Sequence, residues 1–193
     1  MRFLPFGLLF ILSLGSLAAQ ASTIPIISNG QLIGATNVNV GGVLFDFEFV
    51  EGSCIGLFDG CDATNDFQSF PGGSLAAAQA LIDQVLLDGV NGNFASNPVL
   101  TFGCGQVFAC GIVIPELSTG SFGFNGTPIS SGAIILQTPF EETASLVPQI
   151  FGNEDTTNSS IVFARFSPTP IPLPGAAWLL PVSYTHLTLP TKA

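Results

Sequence analysis

Val43-Leu44-Phe45-Asp46-Phe47-Glu48-Phe49-Val50 places Val43, Phe45, Phe47 and Phe49 on one side of an extended chain and Asp46 and Glu48 on the other. Successive strand residues point to opposite faces, so this period of two predicts a strand with its aromatic face in the core. Gly41-Gly42 precedes it, a dipeptide that accepts the positive φ of a two-residue hairpin turn. Leu32 to Val40 supplies the first arm, with Asn39 between Val38 and Val40 continuing the alternation.

Beyond this hairpin, Glu51 to Phe70 is rich in Gly, Cys, Asp and Asn, lacks periodicity and reads as a long exposed loop. Pro71-Gly72-Gly73 ends it. Ser74 then stands at an N-cap position for a helix to Leu87, in which Leu75, Ala78, Ile82, Val85 and Leu86 recur at helical spacing and Gly89 supplies the stop. Pro98 to Phe102, Val107 to Ile114, Ala133 to Thr138 and Ser160 to Phe166 are short apolar runs between turn residues and read as further strands. Glu141 to Ile150 reads as a short helix that Pro148 would end early. The expected fold is mostly β (α+β): a single antiparallel β-sandwich or open-barrel-like domain with one amphipathic helix, because one helix cannot supply the crossovers of a parallel sheet.

The N-terminus has the form of an export signal. Met1-Arg2 is a minimal basic start, Phe3 to Leu14 is mostly apolar, and Ala19-Gln20-Ala21 offers a small-x-small site with cleavage expected after Ala21. The body from Ser22 to Pro174, roughly 150 residues, suits one domain with a real core. Within it Arg165 alone opposes all 13 acids of the chain. That balance argues against nucleic acid and anionic lipid surfaces as partners.

Four cysteines fall in two close pairs, Cys54 with Cys61 and Cys104 with Cys110. In an exported chain disulfides are the natural reading; three pairings are open, local closure being the simplest. Zinc is the rival, although its motifs usually space each pair more tightly. Asp59, Asp62 and Asp66 form the best ligand cluster, hard oxygens among turn residues, and make calcium the one candidate cofactor. A solvated turn is the plainer account.

Catalytic chemistry is sparse. Outside the last residues the body has no histidine or lysine, so neither a Ser-His-Asp triad nor a Schiff-base lysine can be built. Gly72-Gly73-Ser74-Leu75-Ala76 falls short of a nucleophile elbow. Asp46, Glu48, Glu51 and Glu141-Glu142 remain as material for a glycosidase-like pair, with nothing in the sequence to fix their separation.

Near the C-terminus, Ile171-Pro172-Leu173-Pro174-Gly175-Ala176-Ala177-Trp178-Leu179-Leu180 resembles the start of a PEP-CTERM sorting signal, in the variant where Val-Pro-Leu-Pro-Ala precedes Ala-Ala-Trp-Leu and a membrane-spanning helix. The resemblance implies export, transient membrane anchoring, and processing by a membrane-embedded exosortase in bacteria that produce extracellular polysaccharide. Pro172, Leu173, Pro174 and Trp178 would carry recognition, with Gly175 where Ala is commoner. Ala176 to Leu180 is far short of the roughly 20 residues a span needs. From Pro181 the chain runs through Val182 to Ala193, which looks like a frame translation of a sequencing-library transposase adapter and holds the chain's only His, Tyr and Lys. The native chain is expected to continue from Leu180 into a span and a basic tail.

The expected organisation is a signal peptide over 1–21, a β-rich domain over 22–166, a Pro-rich linker over 167–171, a truncated sorting signal over 172–180 and a non-native tail over 181–193. The expected function is that of an extracytoplasmic surface or matrix protein without catalytic activity, with exosortase and extracellular polysaccharide as partners. The alternative is a calcium-dependent or carbohydrate-binding module; a carboxylate-based hydrolase is weaker.

Overall fold

The computed structural model describes residues 21–105, 108–122, 127–157 and 159–170. β2 (Gln31–Val40) and β3 (Val43–Val50) form the expected hairpin, Val40 opposite Val43, across Gly41 at φ 59° and Gly42 at φ 91°. Both turn residues lie in the left-handed region that glycine enters without strain. The Asn39 side chain accepts the Gly42 N–H at 2.7 Å and closes the turn. Phe45, Phe47 and Phe49 are buried, as the alternation requires.

β1 (Ile24–Ser28) lies outside β2, completing an antiparallel triplet. A second antiparallel meander consists of β6 (Cys110–Phe122), β7 (Pro128–Gln137) and β8 (Glu142–Phe151). β9 (Ile161–Pro168) joins the two, antiparallel to β3 and parallel to β6, so the sheet order is β1-β2-β3-β9-β6-β7-β8. The domain is mostly β, an α+β sandwich-like arrangement, as expected. The sheet is mixed, because β9 returns to its middle through a long connection.

One face of this sheet is covered broadly and the other over part of its area, by different means. On one, the helix α2 (Gly73–Gln84) lies across β2, β6, β7 and β8, and Leu81, Ala77 and Ala78 meet Val38, Phe45, Ile112, Ile114, Ala133 and Ile135 in the main core. On the other, the 51–70 segment seals Val113, Phe163 and Ile150 beneath Phe58, Phe67 and the Cys54–Cys61 pair. That segment is more structured than the loop expected: it contains the helical turn α1 (Cys54–Leu57) and a 3-10 turn at Thr64–Asp66. A two-residue-per-arm hairpin, β4 (Asp88–Gly89) with β5 (Gly92–Asn93), follows α2.

Several expectations need correction. Glu141 to Ile150 is not a helix but most of β8: Thr138 turns the chain by donating its N–H to Glu141 O at 2.9 Å, and the edge of β7 offers ladder partners. Pro148 suits an edge strand, where a missing N–H costs nothing. Pro98 to Phe102 is not a strand; Pro98–Leu100 form a 3-10 turn, followed by a single bridge from Thr101 to Leu32. The strand expected from Val107 starts at Cys110 and runs on through Pro115. Ser167 and Pro168, assigned to a linker, continue β9 opposite Asp46 and Phe45.

Ser74 is not the N-cap. Gly72, at φ 83°, occupies that position and the helix starts at Gly73. Instead Ser74 donates its backbone N–H to the Glu116 carboxylate at 2.8 Å, placing a negative charge at the helix N-terminus. Its Oγ is fully buried and, among the described residues, has no hydrogen-bond partner. Leu75, expected on the packed face, is 39% exposed, while Ala77, Ala78 and Leu81 face the sheet. The helix ends at Gln84, whose amide exchanges hydrogen bonds with the backbone of Asn39 at 2.8 and 2.9 Å.

Candidate functional site

The parallel ladder between β6 and β9 lasts three residues, from Gly111 opposite Ile161 to Val113 opposite Phe163. Beyond it the strands part, and the sequence supplies the cause. Pro115 cannot donate a ladder hydrogen bond, and Glu116 is an extra residue in the β6–β7 register, where Pro115 faces Gly132 and Leu117 faces Ser131. Such a bulge bends and twists its strand. Gly132 is needed there: a Cβ would lie 2.1 Å from Ile114 O.

A cleft of about 240 Å³ fills the gap. Its floor is apolar, made by Ile114 and Pro115 of β6 and Ala164 of β9, all buried. Phe58, Phe70 and Phe166 wall it, the last two in edge-to-face contact at 4.9 Å. Its rim is polar: Asp59, Asn65, Asp66, Gln68 and Arg165. Arg165 is held by Glu48 across β3, Nη2 to Oε1 at 2.6 Å with Nε also donating at 3.0 Å.

The Asp cluster is thereby partly reassigned. Asp66 Oδ2 accepts the backbone N–H groups of Asp62 and Ala63 at 3.0 and 2.9 Å, which fixes the 3-10 turn. Asp59 and Asp66 line the cleft, whereas Asp62 does not. Among the described residues no three His, Cys, Asp or Glu side chains are grouped so as to hold a metal ion. Asp59 at φ 48°, Gly60 at φ 105° and Cys61 at φ 60° are three successive left-handed residues, a tight return held inside the Cys54–Cys61 ring.

Both cysteine pairs close locally, Cys54 with Cys61 at a Cα separation of 5.7 Å and Cys104 with Cys110 at 5.4 Å, and no described cysteine is free. Disulfides of this kind suggest an oxidising, extracytoplasmic compartment. Among the described residues no helix is long and apolar enough to cross a membrane. Pro172, Leu173, Pro174, Gly175 and Trp178 lie outside the described residues.

The carboxylates considered for hydrolysis are scattered. Asp46 and Glu48 sit on the outer face of β3, with Asp46 Oδ1 accepting from Asn37 N–H at 3.0 Å and Thr169 Oγ1 at 2.7 Å. Glu142 is different: half-buried in a cleft of about 270 Å³ with Asp88, Ser96 and Phe140, its carboxyl is pushed up to about 7. Burial is the main cause and the Asp88 charge the second; a hydrogen bond from Gln137 opposes them. Asp88 is held below the usual range by hydrogen bonds from Ser96.

Neither Asn65, Gln68 nor the walls of the cleft were visible as a site in the sequence. Arg165 stood out as the lone cation of the body, yet its place beside the cleft depends on a strand pairing no local pattern announces. Comparison of the chain with protein-family models, with curated proteins and with solved structures finds no match.

Proposed function

We propose that this protein is an exported bacterial cell-surface or extracellular-matrix protein, without catalytic activity of its own, sorted through its C-terminal Pro-Leu-Pro motif by an exosortase. The observation that carries the reading is the Ile171 to Leu180 stretch, where Pro172, Leu173, Pro174 and Trp178 stand as in the PEP-CTERM variant. Two features support it. Both disulfides fit a protein that matures outside the cytoplasm. The domain is also tied off just before the motif: Thr169 donates its N–H to Leu44 O at 3.1 Å and its hydroxyl to Asp46, which anchors the chain three residues short of Pro172.

The test is the genomic reading frame beyond Leu180. A hydrophobic span followed by Arg and Lys is expected, together with membrane retention of the tagged full-length protein in a strain lacking exosortase. An immediate stop codon, or a continuous native frame encoding Val182 to Ala193, would overturn the reading.

A second reading, a carboxylate-based hydrolase, is favoured by one observation: Glu142 and Asp88 line one cleft, where burial raises the first carboxyl to about 7 and hydrogen bonds from Ser96 lower the second, the division of labour an acid-and-base pair needs. Release of nitrophenol from aryl glycosides at pH near 6, lost in Glu142→Gln, would support it; no turnover above the variant's background removes it.

A further inference from the structure

We propose that the cleft between β6 and β9 binds a neutral, hydroxyl-rich ligand, a single sugar unit of an extracellular polysaccharide. The inference goes beyond sorting and needs only that the domain be folded. A pyranose ring is amphiphilic, with a C–H face and a girdle of hydroxyls, and the cleft is amphiphilic in the same sense. Phe58, Phe70 and Phe166 offer their apolar edges to the ring face, above the buried floor of Ile114, Pro115 and Ala164.

The rim supplies the complementary polar groups. Among the described residues, neither the Asp59 carboxylate nor the Asn65 amide has a hydrogen-bond partner; Asp66 keeps Oδ1 and Gln68 keeps Oε1 beyond the bonds they make. These are mostly acceptors, joined by the Asn65 NH₂ and the remaining Arg165 N–H groups as donors. Hydroxyls, which both donate and accept, satisfy such a mixture, whereas a wholly apolar ligand would bury it unpaired.

Charge narrows the class. Asp59 and Asp66 face a guanidinium already neutralised by Glu48, so the rim is net negative and repels uronic or sulfated sugars. Size narrows it too, since about 240 Å³ is below the roughly 300–1,000 Å³ that encloses a drug-sized molecule. One ring fits, with the polymer continuing outside. The rim is also preorganised: Asp59 lies within the Cys54–Cys61 ring and Asn65 within the turn that Asp66 fixes, so little ordering is left to be done on binding.

Affinity electrophoresis of the disulfide-intact full chain, in gels cast with dextran, with galactomannan or with polygalacturonate, tests this. The wild type should be retarded by at least one neutral polymer and not by the acidic one. The double variant Asn65→Ala with Gln68→Ala should lose affinity about tenfold, as expected for two hydrogen bonds removed. Gln79→Ala, on the outer surface of α2, should bind as wild type. Unchanged melting of the double variant excludes unfolding as the cause. Failure of both neutral polymers to retard the protein, equal retardation of the wild type and double variant, or preferential binding of polygalacturonate would each overturn the proposal.

Discussion

Replacing Glu142 by Gln should make the protein more stable above neutral pH and leave it almost unchanged below pH 5. The carboxyl stands at about 7 in the fold against 4.5 when free. A raised acid holds its proton more tightly in the native state, so its favourable contribution is complete below the unfolded value and is lost as pH climbs through the folded one. At face value the gap corresponds to about 3 kcal/mol. Because the group is only half-buried, screening reduces this to about 1–2 kcal/mol. The amide is isosteric, keeps an oxygen for the Gln137 NH₂, and carries no charge to oppose Asp88. Urea unfolding at about pH 5, 6, 7 and 8 reads the difference, with wild-type stability falling by about 1–2 kcal/mol over that window and the variant's curve flatter by the same amount. Every other titratable group is common to both proteins and cancels. Parallel curves would refute the assignment of burial as the cause.

Ser74→Ala should raise stability by about 1 kcal/mol, because it removes a buried hydroxyl that has no partner; a loss of similar size, read by thermal melting, would restore Ser74 as a helix cap. Gly132→Ala should cost about 3 kcal/mol in denaturant unfolding, since its Cβ would press on Ile114 O. Intact mass without reductant should show both disulfides closed, and opening the Cys54–Cys61 ring by Cys→Ser exchange should cost about 2.5 kcal/mol from loop-closure entropy. Millimolar calcium should leave the melting temperature unchanged, because Asp62 does not line the cleft with Asp59 and Asp66 and, among the described residues, no three carboxylates are grouped to hold a cation; a rise of several degrees would reinstate the three-aspartate site.

What the sequence made legible was whatever depends on near neighbours. Val43 to Val50 declared both its period and its buried face, and Gly41-Gly42 declared the turn. The helix after Pro71 was visible, but its starting residue was not, because the group that caps it is Glu116, far along the chain. Glu141 to Ile150 is a strand and not the expected short helix for the same reason: the ladder offered by β7, which its own residues do not announce, decides the matter. The cleft was out of reach. Asp59, Asp62 and Asp66 read as ligands for a cation, but it is β9, late in the chain, that brings Ala164 and Arg165 to the same cleft as Ile114 and makes Asp59 and Asp66 part of its rim.

That late arrival also sets the order of assembly. The strand that zips the two halves of the sheet together follows every other strand of that sheet in the chain, so the two meanders cannot be joined until it has been made. A chain held by its C-terminal end would pull on that same central strand. Pulled along its own axis, β9 would load its ladders to β3 and β6 in shear, several hydrogen bonds together instead of one at a time. Tethering at this end would therefore load the strand that joins the two meanders.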